Sequence, residues 1–499
     1  MKKVTDIIIL TIGRILIMLT SIISIRIFTT LLSPSEIGRL NILLAICSWF
    51  SLVVINPVGM YVNRKIIEWN RDGLVQRHLI PLLEFFVVVV GLAIIVVIGL
   101  NYFIGLGIDI KIWWIIIIVA GSILLTSGNA SFLGWLNLFG KRFSFVFLSV
   151  ITLWLGLVLS TFFVLKIMAK AEYWFAGQLL GQGLVLVEAA ILFLRILGKP
   201  ASFVIQKDRD FTPSLVFRFA WPLAIGTFLY WCHSQGYRFV FQKIAGTEAL
   251  GLFAVGFGIG SNLMVAFDTL FNQYYHPIFY NEIANSNEEQ RTIAWNKYGS
   301  FFFPAIIIMM VYIGVNGPLL AKVFTGERFH YVGNIILWGA VAESLRMMTS
   351  ATAMVSHAQL EMKPLIIPSI VGAVSAIIGV FILVRFNPFL GGGFAISFGW
   401  LLAFLVLFKN MKKLLPIEFP YKRVLYSIFL SLPFFVLLLV KKTDFMIVQS
   451  LIILVVSGLY LIFAQFILAR KWISLPLRLS FIDEWENKFK NYFSQITNL

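Results

Sequence analysis

Apolar stretches long enough to cross a bilayer follow one another along nearly the whole chain, with short polar connections between them. A helix of about 20 apolar residues spans the hydrocarbon core, and by that measure the sequence holds about fourteen spans. Inside a bilayer the backbone must satisfy its own hydrogen bonds, so spanning segments are helices or strands of a closed barrel. Stretches of this length predict helices, and hence an all-α polytopic membrane protein.

The composition agrees with a membrane protein. The chain of 499 residues is 60% hydrophobic and 13% charged, whereas soluble domains carry about 25% charged residues. Its net charge of +17 is spread over many connections and forms no basic arm, which excludes nucleic acid as a partner. The two cysteines lie in apolar stretches without metal-ligand spacing, and we expect no metal and no cofactor.

The distribution of lysine and arginine predicts the orientation. These residues concentrate in the connections on the same side as the N-terminus, and such connections are cytoplasmic in most membrane proteins. With an even number of spans, both termini should then be cytoplasmic. The first apolar stretch lacks a small-residue cleavage site, so we interpret it as a retained helix and not a signal peptide.

The spans group as six, six and two. A polar connection between Arg195 and Arg218 separates the first six from the next six, and a basic connection between Lys409 and Arg423 precedes the last pair. We predict an N-terminal six-helix lobe at 1–200, a C-terminal six-helix lobe at 201–410 and two additional helices at 411–470. The tail, 471–499, has apolar residues at helical spacing from Phe481, which predicts a cytoplasmic amphipathic helix on the membrane surface or against a loop.

An internal repeat supports the two lobes. Each copy contains, in order, an arginine, an apolar run, a turn, a glutamate and a glycine, namely Arg26, Glu36 and Gly38 in the first copy and Arg238, Glu248 and Gly251 in the second. Many transporters consist of two repeated halves with the binding site between them. Six helices per lobe would relate the halves by a pseudo-two-fold axis along the membrane normal.

Several arginines lie within or at the ends of the apolar stretches. A charged side chain at the bilayer centre costs roughly 2.5–3.5 kcal/mol, so it usually faces a cavity and serves a function. The alternative for those near a membrane surface is that the side chain reaches the headgroups. The predicted anion-binding residues are Arg14, Arg26, Arg218, Arg238 and Arg346.

Two carboxylates lie in the middle of stretches in the second half. Asp268 and Glu343 each belong to a polar stripe at helical spacing, and Glu343 precedes Arg346 by three residues. A buried carboxylate needs a cation, a proton or a protein partner. We predict that both residues couple transport to Na⁺ or H⁺, and the alternative for Glu343 is a structural ion pair with Arg346.

Four amide side chains also lie in apolar stretches: Asn56, Asn129, Gln178 and Gln182. Amides hydrogen-bond well to sugar hydroxyls, so these residues are candidates for binding a saccharide. The alternative is that they join neighbouring helices.

The opening pattern resembles a known family. Arg14 and Arg26 are followed by Leu31-Leu-Ser-Pro-Ser-Glu36-Ile-Gly38, and Asn56-Pro-Val-Gly59 closes the second span. This pattern resembles the polysaccharide (O-antigen type) repeat-unit flippases of the multidrug/oligosaccharidyl-lipid/polysaccharide exporter superfamily. The resemblance implies a V-shaped pair of lobes and alternating access, without enzymatic activity.

The same resemblance implies the cargo and the location. The substrate would be a lipid-linked oligosaccharide on undecaprenyl pyrophosphate, moved from the cytoplasmic to the outer leaflet of the bacterial cytoplasmic (inner) membrane. Surrounding membrane lipids, a polysaccharide polymerase and chain-length proteins would be partners. Arginines suit such a cargo, since a guanidinium matches phosphate oxygens in a bidentate geometry.

Other functions remain open at the level of sequence. Many repeat-unit flippases have twelve spans, whereas the related lipid II flippase has fourteen, so a peptidoglycan precursor is an alternative cargo. A cation-coupled multidrug exporter of the same superfamily is another possibility. A glycan polymerase or ligase would need a large outer loop and a catalytic base, and the outer connections here are short.

Overall fold

The computed structural model describes residues 2–103, 109–197, 212–284, 286–439 and 445–472. Within these ranges every regular element is helical, which confirms the all-α prediction. The predicted amphipathic helix from Phe481 and most of the predicted connection between the lobes lie outside the described residues.

The first half contains eight α-helices: α1 (Lys2–Leu31), α2 (Pro34–Trp49), α3 (Asn56–Arg71), α4 (Val75–Phe103), α5 (Ile112–Gly121), α6 (Ser127–Leu138), α7 (Arg142–Lys166) and α8 (Ala171–Leu197). The second half continues with α9 (Pro213–Trp231), α10 (Tyr237–Ile283), α11 (Glu288–Val315), α12 (Gly317–Phe324), α13 (Gly333–Gln359), α14 (Ile366–Leu383) and α15 (Pro388–Leu414). The last pair is α16 (Tyr421–Phe435) and α17 (Ile447–Trp472). Short π-helical segments, Phe50–Ile55, Ser122–Thr126 and Cys232–Gly236, join α2 to α3, α5 to α6 and α9 to α10.

Polar residues in some of the short connections cap the helix that follows. Ser33 accepts a hydrogen bond from the backbone N–H of Glu36 at the start of α2. Asn287 and Gln290 form a capping box at the start of α11. Such caps satisfy backbone donors that have no partner within the helix. At α2 and α11 a polar residue between spans therefore sets where the helix begins.

Twelve helical segments among the described residues are long and apolar enough to cross a membrane. One of them, Pro213–Gln273, has 61 residues, which at 1.5 Å per residue is about three times the thickness of the hydrocarbon core. Gly246, with φ 86° and ψ 167°, breaks the helix within it. Helix α13 is not among the twelve, because it carries several polar residues. The count of about fourteen spans stays a prediction.

Most helices pack on helices of the same half. In the first half α7 packs on α1 and α8, whereas α2 packs chiefly on α10 of the second half and only slightly on α5 and α8. In the second half α13 contacts α10, α11 and α15, and α14 contacts α15. Helices α16 and α17 both pack on α11. The lobe boundaries near 200 and 410 stay predictions, because the first falls outside the described residues.

The glycines of the internal repeat meet where the two halves touch. A Cβ atom on Gly38 would lie 1.9 Å from the carbonyl oxygen of Thr247, and one on Gly251 would lie 1.9 Å from that of Pro34. Glycine is therefore required at both positions for α2 and α10 to approach so closely. The two halves are further joined by Trp231, whose Nε1 donates to the carbonyl of Ala45 at 3.0 Å.

Candidate functional site: a cavity with an arginine and a charged cluster beside it

A cavity of about 290 Å³ lies between α1 of the first half and α10 of the second. Its walls are largely apolar, with Arg14 and Ser21 on α1 and Asn262 and Thr269 on α10. None of the described residues that line it is acidic. Both halves thus line this cavity, and Arg14 gives its wall a formal positive charge.

Arg14 is presented to this cavity by the packing of α1. The preceding residue, Gly13, faces α7 so closely that a Cβ atom there would lie 2.4 Å from the side chain of Val146. Arg14 points away from that contact; its side chain is exposed. It forms no hydrogen bond or ion pair with the described residues, so its guanidinium donors are free for a ligand.

Arg26 is held at one end of the same cavity. Its Nη1 donates to the carbonyl oxygens of Lys322 at 2.7 Å and Val323 at 2.9 Å. These carbonyls belong to the last turn of α12, where the helix has no internal donors for them. Thr29 completes the contact, because its hydroxyl accepts a hydrogen bond from the backbone N–H of Gly326 at 2.9 Å.

The structure therefore separates the two arginines that the sequence predicts to act together. Ile25 and Phe324 line the end of the cavity, and Arg26 binds α12 beside them. Arg14 lies twelve residues earlier on α1, about 18 Å along the helix axis. In this conformation Arg14 is available to a ligand, whereas Arg26 fastens α1 to α12.

A cluster of three charged side chains lies behind the α10 wall. Arg346 Nη2 lies 2.6 Å from Glu343 Oε1 and 3.2 Å from Asp268 Oδ2. The side chains of Arg346, Asp268 and Glu343 are only 20%, 16% and 11% exposed. The cluster holds two carboxylates and one guanidinium, so it has a carboxylate in excess when all three are ionised.

Polar neighbours extend the cluster across three helices. Asn272 donates to Asp268 Oδ1 at 2.6 Å, and the Tyr298 hydroxyl donates to Asn272 Oδ1 at 2.9 Å. Asp268 and Asn272 lie on α10, Glu343 and Arg346 on α13, and Tyr298 on α11. On α10, Asp268 is adjacent to Thr269, which lines the cavity. The cluster and the cavity wall thus share neighbouring positions of α10.

The other two predicted arginines do not line this cavity. Arg238 donates from Nη1 to the carbonyl of Asn41 at 3.3 Å, and its Nε is buried without a described partner. Arg218 is exposed on α9. Arg238 thus joins α10 to α2, which is one of the contacts between the halves.

The four predicted amides fall into two groups. Asn129, Gln178 and Gln182 lie where α6, α7 and α8 pack together, and Asn129 donates to the Thr152 hydroxyl at 3.3 Å. That bond favours a role in helix packing for Asn129. Asn56 is different, because it is exposed and lines a separate cavity between α3, α4 and α6.

Two residues of the charged region were not predicted from the sequence. His233 is 2% exposed and its ring stacks on Trp400 with centroids 3.9 Å apart. Both line a second cavity of about 240 Å³ that also contains Arg346. The ionisable character of His233 in an apolar stretch was a usable signal. For Tyr298 the sequence contains no such signal, because its hydrogen-bond partner, Asn272, lies on a different helix.

Within the described residues no group of three or more His, Cys, Asp or Glu could hold a metal ion.

No protein-family model matches the sequence, and none of the curated proteins matches it. Solved structures are similar in fold. The lipid II flippase MurJ in an inward closed conformation has a TM-score of 0.70 and 16% sequence identity, covering 94% of this chain and 100% of that one. An inward-facing multidrug resistance MATE family transporter of the MOP superfamily has a TM-score of 0.56 and 16% identity, covering 82% of this chain and 98% of that one. The chain therefore has the fold of transporters and flippases.

Proposed function

We propose that the protein is a flippase that moves an oligosaccharide linked to undecaprenyl pyrophosphate from the cytoplasmic to the outer leaflet by alternating access. The observation that carries this proposal is Arg14, an arginine without a described partner on the wall of the cavity between the two halves. A guanidinium in apolar surroundings needs an anion, and none of the described lining residues supplies one.

The chemistry of the cavity fits a lipid-linked pyrophosphate. Arginine donates two parallel hydrogen bonds to phosphate oxygens, and such charge-assisted bonds are stronger than neutral ones. The remaining lining is apolar and suits the lipid end of the cargo. A cationic drug would meet a positive charge and no carboxylate in the same place, which disfavours the multidrug alternative.

The contacts between the halves fit an early step of the cycle. Arg26 and Thr29 bind α12 and its following turn at the C-terminal end of α1. With the N-terminus in the cytoplasm, that end lies at the outer face. The outer end of the cavity is then closed, and cargo would enter from the cytoplasmic leaflet.

The charged cluster supports coupling to a cation. The carboxylate in excess among Asp268 and Glu343 can take a proton or Na⁺, and Arg346 can then shift between its two acidic partners. An ion that binds one conformation better than the other is sufficient to drive alternating access. Coupling through this cluster is part of the proposal.

A second candidate cargo is a peptidoglycan precursor. The observation that favours it is the presence of two helices, α16 and α17, beyond the two six-helix lobes; both pack on α11. Both cargoes carry the same undecaprenyl pyrophosphate, so the role of Arg14 is the same for either.

Transfer between leaflets in proteoliposomes tests the proposal. Liposomes with purified protein would receive undecaprenyl pyrophosphate bearing an oligosaccharide repeat unit, lipid II or a cationic dye, and the amount reaching the opposite leaflet would be measured. We expect Arg14→Ala to reduce transfer of the lipid-linked sugar about ten- to hundredfold, from the loss of charge-assisted bonds of about 1.5–3 kcal/mol.

Arg385→Ala is the matched control, because Arg385 lies over the ring of Phe381 in a connection away from the cavity. It should transfer cargo as the wild type does. Transfer of lipid II but not of the oligosaccharide lipid would identify the peptidoglycan precursor as the cargo. Transfer of the dye alone would contradict both candidate cargoes. Full transfer by Arg14→Ala with the same amount of reconstituted protein would remove Arg14 from the site.

A further inference from the structure

The cavity in the first half that Asn56 lines differs from the α1–α10 cavity in its chemistry. It has a volume of about 210 Å³ and lies between α3, α4 and α6. Its lining includes the amides Asn56 and Asn63, serine hydroxyls and the rings of Phe85 and Trp135. None of the described residues that line it carries a formal charge. It is thus a polar but neutral site.

Several hydrogen-bonding groups on its wall are available to a ligand. Asn63 accepts a hydrogen bond from Trp135 Nε1 at 3.0 Å, which fixes its orientation and leaves both N–H donors of the amide unused. Asn56 is exposed and its amide has no hydrogen bond to the described residues. Ser131 donates to the carbonyl of Ser127 at 2.8 Å, so its oxygen can still accept. The wall thus offers both donors and acceptors.

The backbone around the cavity leaves space. Gly59 and Gly134 both line it, and a Cβ atom built on either would have no atom within 4 Å. The π-helical segments Phe50–Ile55 and Ser122–Thr126 end where α3 and α6 begin to line the cavity, and such segments often mark functional sites. A larger side chain at either glycine would therefore fill part of the cavity.

The size and chemistry together indicate the ligand. Sites for drug-sized molecules have volumes of about 300–1,000 Å³, so this cavity takes a smaller group. Neutral amides and hydroxyls suit a ring with many hydroxyls, and aromatic rings such as Phe85 suit its apolar face. A pyrophosphate would find no cation here, whereas it finds Arg14 in the other cavity.

We propose that this cavity is a saccharide subsite that binds one neutral sugar ring of the cargo while Arg14 binds the pyrophosphate. The inference rests on the proposed function for the identity of the cargo. It adds that the first half of the protein selects the sugar, and that sugar and pyrophosphate are recognised by different residues.

Binding measurements on full-length protein in lipid nanodiscs can separate the two sites. The probes are undecaprenyl pyrophosphate alone and the same lipid bearing one glucose, galactose, N-acetylglucosamine or N-acetylgalactosamine ring. The wild type should bind at least one of the sugar-bearing lipids more tightly than the bare lipid. Asn56→Leu should reduce that preference about two- to tenfold, as expected for one lost hydrogen bond. Gly134→Leu should abolish it by filling the cavity.

Two controls keep the outcomes distinct. Asn101→Leu makes the same substitution on an exposed residue of α4 that does not line the cavity, and it should bind every probe as the wild type does. Arg14→Ala should weaken binding of the bare and the sugar-bearing lipids alike. An unchanged sugar preference in Asn56→Leu and in folded Gly134→Leu would overturn the subsite and leave the proposed function standing. Unchanged binding of all probes by Arg14→Ala would contradict the proposed function instead.

Discussion

Replacing Arg346 by glutamine should destabilise the second half of the protein through its charged cluster. The substitution removes the cation that lies 2.6 Å from Glu343 and 3.2 Å from Asp268. Removal of one partner from a buried ion pair costs about 3–5 kcal/mol, because the remaining charge stays uncompensated. Both carboxylates keep some exposure, at 16% and 11%. We therefore expect about 3 kcal/mol, the lower end of that range.

The same cluster predicts a smaller effect from the acidic side. Glu343→Gln leaves Arg346 paired with Asp268 and keeps an oxygen that can accept from the guanidinium, so we expect a cost of about 1 kcal/mol. The double variant Glu343→Gln/Arg346→Gln leaves Asp268 with the amide of Asn272 at 2.6 Å. It should be more stable than Arg346→Gln alone, with a coupling energy of about 0.5–3 kcal/mol.

Thermal unfolding of the purified variants in one detergent measures this order, and leaflet transfer by the same variants measures function. Arg385→Gln, a change of the same type in a connection away from the cluster, is the control. Arg346→Gln with the stability of the control would refute the reasoning. If Glu343→Gln is inactive and the double variant recovers transfer, Glu343 serves only to neutralise Arg346 and has no role in coupling.

Four further predictions address other parts of the molecule. Gly38→Ala should lower the unfolding temperature, since an added Cβ meets a backbone carbonyl at 1.9 Å, whereas Gly91→Ala in open space should not; equal stability would contradict the close contact between the halves. A reporter fused after Lys413 should signal cytoplasm, and an outside signal would contradict the predicted topology. Asp268→Asn should transfer cargo without responding to an imposed ion gradient, and a wild-type response would exclude this residue from coupling. Burial, and secondarily the charge of Arg26, lowers the pKa of His330. The unfolded chain binds a proton at this histidine at about pH 6.5 and the folded chain only at lower pH, so the stability should fall as the pH falls below about 6.5. His330→Gln should show a weaker dependence of stability on pH.

The internal repeat shows both the reach and the limit of sequence reasoning. The repeated glycines Gly38 and Gly251 could be recognised from the sequence, but their contact with the opposite half could not. The break at Gly246 falls at the turn that the repeat predicts between Arg238 and Glu248, whereas the continuation of α10 on both sides of this turn was not predicted. Whether such a glycine adopts a positive φ depends on what the two flanking segments pack against.

The amino-acid sequence by itself determined the helical class, the membrane environment and the pair of Glu343 and Arg346. These properties depend on length, hydrophobicity and spacing within one helix, all of which are local. Tertiary structure decided which arginine is available to a ligand. Arg26 binds carbonyls of α12 nearly 300 residues away, at a separation of 296 positions from Lys322, while Arg14 meets only an open cavity. Both are arginines in the same apolar helix, and only the packing of distant segments distinguishes the one that caps α12 from the one proposed to bind the cargo.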